Sequence, residues 1–337
     1  MKDIFMFSFN AVMPILILFV IGYLLRRIGF ADENFFKKAN AMVFKVFLPV
    51  LLFKNVYDIE SLSQINLPAI AYCLCAVLVL CLIGFITAKL TAKSRNQTGV
   101  ITQCTFRSNY AIIGIPLAET LGGAEAAGFA SILSASSIPL FNVLAVILLS
   151  HYSEDEHNAS VKATIKKTAK NPLIIGVLSG VAAVAMRQLL PLNEAMEPIF
   201  SLQRDLPFIY SAISSIAKGT TPLALIVLGA RFDFAAVKGL FRQIVTATFM
   251  RLVVAPLVGV GCAVLLSTRS GFLSLSATEY PALISLFSTP VAVSSAVMVG
   301  EIGGDEQLAG QLVVWTSVFS MLSMFAVIFI MKSTALI

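Results

Sequence analysis

The chain has 337 residues, of which 58% are hydrophobic and only 12% are charged, and its formal net charge at pH 7 is +6. A soluble domain carries about 25% charged residues, so this composition excludes an ordinary soluble protein and indicates one that is embedded in a lipid bilayer. We therefore attribute the basic excess to loops that face the cytoplasm, and we expect no nucleic-acid partner. The five cysteines lie in apolar segments without metal-ligand spacing, so neither a disulfide framework nor a metal or other cofactor is expected.

Ten apolar segments of about 20 residues, each long enough to cross a bilayer, follow one another along the chain and predict an all-α polytopic membrane protein. In chain order they are Phe7–Leu25, Phe36–Val56, Ile70–Leu90, Gly99–Leu121, Gly128–Ser150, Pro172–Leu189, Ile209–Ala230, Ile244–Leu266, Pro281–Gly300 and Leu308–Met331. Five spans precede a polar stretch and five follow it. We therefore predict a first five-helix repeat over 1–150, a cytoplasmic connecting loop over 151–170 and a second repeat over 171–337.

The basic residues predict the orientation of these spans. They concentrate after spans one, three, five and seven, at Arg26, Arg27, Lys37, Lys38, Lys89, Lys93, Arg95, Lys162, Lys166, Lys167, Lys170, Arg231, Lys238 and Arg242. Loops rich in Lys and Arg stay on the cytoplasmic side of the plasma (inner) membrane. Both termini are therefore predicted to be extracytoplasmic.

Spans four and nine are interrupted by helix-breaking residues. Gly114 and Pro116 fall inside span four, and Pro290 falls inside span nine. Because a proline inside a helix removes a hydrogen bond and clashes with the preceding turn, each span is expected to split, with Pro116 and Pro290 opening the second half-helices. Irregular backbone at membrane depth is tolerated where it lines a cavity, and paired broken helices mark the binding site of secondary transporters.

Matching residues recur in the two halves at similar separations. The pairs are Lys45 and Pro49 with Lys218 and Pro222 (173 positions), Pro116 with Pro290 (174), and Gly122–Gly123 with Gly303–Gly304 (181). An odd number of spans in each half makes the second half insert upside down relative to the first. The pattern therefore predicts an inverted repeat with broken crossover helices at spans four and nine.

The surroundings of the two breaks predict an anion site. Half-helix N-termini carry free N–H groups and partial positive charge. The candidate substrate-binding residues are Arg107, Ser108, Asn109, Tyr110, Gly114, Pro116, Ser288, Thr289, Pro290 and Ser294, with further charge contacts from Lys45, Lys218 and Arg251. Each mid-span cation costs about 3 kcal/mol on insertion scales, so these residues need a function or a local partner. The alternatives are that the polar residues only cap half-helices, and that the cations snorkel or contact backbone carbonyls.

At these residues the chain resembles a bacterial member of the auxin efflux carrier family, similar to malate- and malonate-type permeases. The resemblance rests on N-x-x-x-x-G-I-P-L at Asn109–Leu117 and on V-G-E-I-G-G-D at Val299–Asp305 after Pro290. It implies a scaffold domain of spans one, two, six and seven and a transport domain of the other six. It also implies crossed half-helices, an elevator-like motion, a homodimer through the scaffold and an organic-anion substrate.

The leading hypothesis is a secondary active transporter that moves a small organic anion by alternating access. A symporter driven by H⁺ or Na⁺ is compatible with it, since backbone carbonyls at the breaks could hold Na⁺. An anion channel, or a carrier of an uncharged or amino-acid-like solute with the same fold, remains an alternative. A membrane enzyme is disfavoured, because both histidines, His151 and His157, lie in the predicted connecting loop.

Overall fold

A computed structural model describes residues 2–58, 66–153, 172–191, 199–232, 235–271, 273–334 and 336–337. The helices are α1 Lys2–Arg27, α2 Glu33–Met42, α3 Leu48–Tyr57, α4 Leu67–Thr91, α5 Arg95–Phe106, α6 Ile115–Tyr152, α7 Pro172–Leu189, α8 Leu202–Asp205, α9 Pro207–Ala230, α10 Ala236–Phe249, α11 Cys262–Leu265, α12 Tyr280–Ser288, α13 Val293–Ile302 and α14 Glu306–Ser333. Single π-helical turns occur at Val43–Phe47, Tyr110–Gly114, Met250–Val254, Leu257–Gly261 and Leu266–Ser270. No strand longer than an isolated bridge occurs in these ranges, so the predicted all-α class is confirmed for them.

Five helical stretches in the described ranges are long and apolar enough to cross a membrane. They are Leu67–Thr91, Glu125–Tyr152, Pro207–Ala230, Val237–Arg269 and Glu306–Ser333. These stretches overlap the predicted spans three, five, seven, eight and ten, and the full ten-span inverted repeat stays a prediction. Of the predicted connecting loop 151–170, everything after Ser153 lies outside the described residues.

One group of helices is formed by α1, α3, α7 and α9, in which α1 packs along α9 and α3 packs along both α7 and α9. Glycines set the α1–α9 distance. A Cβ on Gly22 would lie 2.0 Å from the carbonyl oxygen of Ile226, and one on Gly229 would lie 1.9 Å from that of Phe19. Small residues at a helix interface let two backbones approach closely inside a membrane. This pair of helices is therefore held at a spacing that larger residues would not allow.

The remaining helices surround the two broken segments. α4 packs on α5, α5 on α6, α6 on α12, and α14 contacts α10, α12 and α13. Within α6 the chain changes direction at Gly123, whose φ of 71° and ψ of −164° suit a residue without a Cβ. The first part of α6 thus belongs to the broken segment, and the part after Gly123 forms a separate membrane span.

Candidate functional site

The two broken helices cross at their breaks and are joined there by backbone hydrogen bonding. α5 ends at Phe106 and α12 ends at Ser288. After each of these ends the backbone is extended until the next helix begins. The N–H of Asn109 donates to the carbonyl oxygen of Pro290 at 2.8 Å, and Ser108 and Val291 form an antiparallel bridge. The crossing therefore satisfies backbone groups that the broken helices release, as a buried polar backbone requires.

The prolines do not open the second half-helices, so that prediction is wrong. In span four, helical geometry resumes at Tyr110 with a π turn, six residues before Pro116, which sits in the first turn of α6. In span nine, Pro290 lies in the extended segment after α12, and α13 begins only at Val293. The residue opposite Pro290 at the crossing is Asn109 and not Pro116, a separation of 290 − 109 = 181 positions.

The first turns of both second half-helices line one cavity of about 60 Å³. Tyr110, Ala111 and Ile112 contribute from one side, and Ala292, Val293 and Ser294 from the other. The extended segment of the crossing adds Arg107, Ser108 and Asn109, and α3, α6 and α9 add Leu48, Leu51, Leu52, Ile138, Phe141, Asn142, Thr220, Thr221 and Ala224. The cavity thus lies between the crossing and the α3–α9 pair, with two helix N-termini at its wall, an arrangement that favours an anion.

Arg107 supplies the fixed charge of this cavity. Its side chain is buried, with 3% of its surface exposed, and its guanidinium donates to Asn142 Oδ1 at 2.8 Å and to Ser294 Oγ at 2.9 Å. The other terminal nitrogen contacts the Met298 sulfur. None of these partners is charged, and among the described residues no carboxylate forms an ion pair with Arg107. A buried cation without a counter-ion is costly, which is the property expected of a residue that binds an anion.

Two further polar groups in the cavity wall lack a hydrogen-bond partner. Ser108 Oγ and Asn109 Nδ2 are both buried, and neither finds a partner in the part of the chain that the structure describes. Leaving a buried donor or acceptor unpaired costs about 1–3 kcal/mol. Both residues line the cavity, so these groups are candidates for contact with a ligand that enters it.

Arg251 has a different role from Arg107. It is fully buried, and its guanidinium donates to the backbone oxygens of Thr105 (3.2 Å), Leu286 (3.1 Å), Phe287 (2.9 Å) and Thr289 (2.9 Å). Thr105, Leu286 and Phe287 lie in the last turns of α5 and α12, and Thr289 directly follows α12. Carbonyls at helix C-terminal ends lack helical partners, and the helix dipole is negative there. Arg251 therefore joins the C-terminal ends of both first half-helices. It is not among the residues that line the cavity, so a substrate contact from Arg251 is not what this structure shows.

The predicted site residues divide into two sets. Those that line the cavity are Arg107, Ser108, Asn109, Tyr110 and Ser294, and those outside its lining are Gly114, Pro116, Ser288, Thr289 and Pro290. Lys45 and Lys218 have exposed side chains and are likewise outside the lining. Sequence reasoning missed Asn142, Thr220 and Thr221. A lone amide in an apolar span was the available signal for Asn142.

Residues 7–328 of the chain match the sequence model of a protein family that is described as membrane transport protein. The chain belongs to this family, the auxin efflux carriers. It is also similar to an uncharacterized transporter of Methanothermobacter thermautotrophicus, with 24% identity over 324 residues that cover 95% of this chain and 97% of that protein. This auxin efflux carrier family member is therefore a membrane transporter and not an enzyme.

Proposed function

We propose that the protein is a secondary active transporter of a small organic anion that carries a carboxylate. The observation that supports this most directly is the Arg107 guanidinium, which has only neutral partners among the described residues and lies beside the unpaired Ser108 and Asn109 groups. Guanidinium and carboxylate form two parallel charge-assisted hydrogen bonds, which gives both affinity and orientation. The adjacent first turns at Tyr110 and Val293 add partial positive charge from two helix N-termini.

The cavity wall also suggests which anions fit. Among the described residues that line it, Arg107 is the one cation, and Leu51, Leu52 and Phe141 are apolar parts of the same wall. A ligand with one carboxylate and an uncharged body would bury its charge at Arg107 and its body against this surface. A dicarboxylate such as malate would leave its second charge without a cation, so we expect monocarboxylates to compete better.

The size of the cavity supports alternating access. A volume of about 60 Å³ has room for about two water molecules, which is too little for an organic anion. Because the crossing forms one wall and α3 and α9 form the other, the cavity enlarges when these two parts move apart. An anion channel would instead need a continuous pore. We propose an elevator-like motion of the crossing helices against a scaffold that includes α1, α3, α7 and α9.

The proposal also includes the number of spans, their orientation and the oligomeric state. We propose ten spans in two inverted repeats, both termini on the extracytoplasmic side of the plasma membrane, and a homodimer formed through the scaffold. H⁺ or Na⁺ would drive transport. The excess of basic residues after spans one, three, five and seven supports the orientation.

Uptake into proteoliposomes tests the proposal. Labelled malate and labelled indole-3-acetate are each offered with and without Na⁺ and pH gradients. Each is competed with the other compound in unlabelled form and with malonate, succinate and amino acids. Saturable uptake that one carboxylate class inhibits is expected. Arg107→Gln should lower the uptake at least tenfold, because it removes the fixed charge, whereas Arg242→Gln, which removes an exposed cation, should leave it within twofold. Folded wild-type protein without uptake under any gradient would refute the carboxylate assignment.

A further inference from the structure

A larger cavity lies where α1 and α9 end and where α2 and α14 begin. Its volume is about 460 Å³, and its charged lining residues are Arg26, Arg27, Glu33, Arg231 and Glu306. We call this cavity the vestibule. It lies on the side where α1 ends in basic residues, the side that the sequence predicts to be cytoplasmic. An organic anion approaching from the cytoplasm would meet these arginines first.

An ion pair crosses the inner end of the vestibule. Arg231 caps the C-terminus of α9, Glu306 lies in the first turn of α14, and their side chains form a salt bridge. The Arg231 side chain is 18% exposed and that of Glu306 is 36% exposed. Partial burial makes such a pair stronger than a solvated one. The pair therefore holds α14, beside the crossing helices, to the end of α9.

Behind this ion pair the space narrows to a constriction of about 20 Å³. Its lining shares Arg231 and Glu306 with the vestibule and adds residues from α2, α9, α13 and α14, at Asn40, Leu228, Ala296, Val297 and Gly310. A second contact at the constriction joins α2 to α13, where the Asn40 amide donates to Glu301 Oε1 at 2.9 Å. A space of this size holds about one water molecule, so the passage is closed to an organic anion here.

The constriction lies between the vestibule and the crossing cavity. On α9, Ala224 lines the crossing cavity and Leu228 lines the constriction, and Arg231, which caps α9, lines the vestibule. Positions three or four apart share one face of a helix. On α13, Ser294 lines the crossing cavity and Val297 lines the constriction, again three residues apart. The three cavities thus follow one seam along α9, and α13 borders the crossing cavity and the constriction.

We propose that Arg231 is an anion-binding residue of the vestibule and that the Arg231–Glu306 pair is the gate of this seam. The carboxylate of an incoming organic anion replaces the Glu306 carboxylate on the Arg231 guanidinium, since both offer the same hydrogen-bonding geometry. Released from Arg231, the start of α14 separates from α9 and the constriction widens toward the crossing cavity. This inference rests on the proposed function, because it takes the crossing cavity as the destination of the anion.

The gate is tested by the accessibility of the constriction, a measurement that needs no transported substrate. Ala296→Cys places a thiol in the lining, in a background in which the native cysteines are replaced by alanine. A membrane-impermeant maleimide then reports how fast that thiol is reached. Ala309→Cys is the site control, since Ala309 is similarly buried but lies outside the linings of the vestibule, the constriction and the crossing cavity.

Glu306→Gln should raise the labelling rate at Ala296→Cys by about threefold to tenfold, the range expected for loss of one partly buried ion pair. Asp205→Asn, which breaks the exposed Arg204–Asp205 pair at α8, should leave the rate unchanged. The double exchange Arg231→Glu with Glu306→Arg should restore the slow rate, which separates loss of the gate from misfolding. For the competition step, 50 mM acetate should accelerate labelling of the wild-type gate relative to 50 mM chloride, and should have no effect with Arg231→Gln.

Labelling of Glu306→Gln at the wild-type rate, or an equal increase with Asp205→Asn, would overturn the gate. An acetate effect that persists in Arg231→Gln would overturn anion binding by Arg231. If the labelling results are as expected while no carboxylate is taken up by proteoliposomes, the gate stands and the carboxylate assignment fails.

Discussion

Replacing Arg251 gives the sharpest test of how the crossing is held together. Arg251→Met keeps the length of the side chain and removes its charge and all its donors. Four backbone oxygens, those of Thr105, Leu286, Phe287 and Thr289, would lose the guanidinium that they now share. All four oxygens lie at helix ends inside the bundle, so water cannot easily replace the guanidinium as their hydrogen-bond donor.

The size of the effect follows from these contacts. Leaving a buried acceptor unpaired costs about 1 kcal/mol or more, so four acceptors predict a loss of about 4 kcal/mol in the free energy of unfolding. For a chain of this length, 1 kcal/mol corresponds to about 2 °C, and the melting temperature should therefore fall by about 8 °C. Arg251→Lys keeps the charge and three donors, so we expect about half of that loss.

Thermal unfolding of the purified protein in detergent measures these differences, with the fluorescence of Trp315 as the signal. Arg269→Met is the matched control. Its side chain is exposed at the end of the same helical stretch, and its replacement should shift the melting temperature by less than about 1 °C. The reasoning is refuted if Arg251→Met melts within 2 °C of the wild type, or if the Lys and Met variants melt together.

Two further substitutions probe the site and the scaffold. Asn142→Leu removes the oxygen that accepts from Arg107 at 2.8 Å, so the guanidinium should lose its orientation. Carboxylate uptake should then fall about tenfold, while the melting temperature falls by less than about 3 °C. Unchanged uptake would show that Asn142 does not orient Arg107. Gly229→Ala places a methyl group 1.9 Å from the Phe19 carbonyl oxygen and should destabilise the protein by about 1–3 kcal/mol, measured in the same melting assay. Gly239→Ala is the control, because a Cβ there meets nothing within 4 Å, and it should stabilise α10 by about 0.5 kcal/mol. Equal effects of the two glycine variants would contradict the close α1–α9 packing.

The positions of the breaks show where local sequence rules stop. Proline predicts an interruption because it lacks an N–H, and both broken segments do contain one. The structure interrupts span four earlier, at Arg107–Asn109, because a hydrogen bond to Pro290 is available there from a segment 181 positions away. Pro116 instead lies directly after the π turn at Tyr110–Gly114, where helical backbone has already resumed. A partner distant in sequence therefore decided the location, which proline alone could not indicate.

The basic residues give the same lesson for the candidate site. Arg107 and Arg251 are both arginines in the middle of apolar spans, and sequence reasoning treated both as contacts for an anion. The fold directs one into the cavity and surrounds the other with helix-end carbonyls. It leaves Lys45 and Lys218 exposed. Which neighbours a buried charge receives depends on how helices pack, and no spacing along the chain records it.

Composition and hydrophobic pattern by themselves determined that this protein is a helical membrane protein and predicted two broken helices, because the bilayer admits few backbone structures and tolerates interruptions only around a cavity. The order of its motifs determined the family. Only the tertiary structure decided that the breaks pair with each other, that Arg107 faces the cavity and that Arg231 and Glu306 meet. These features depend on contacts between residues far apart in the chain, which form when the helices pack.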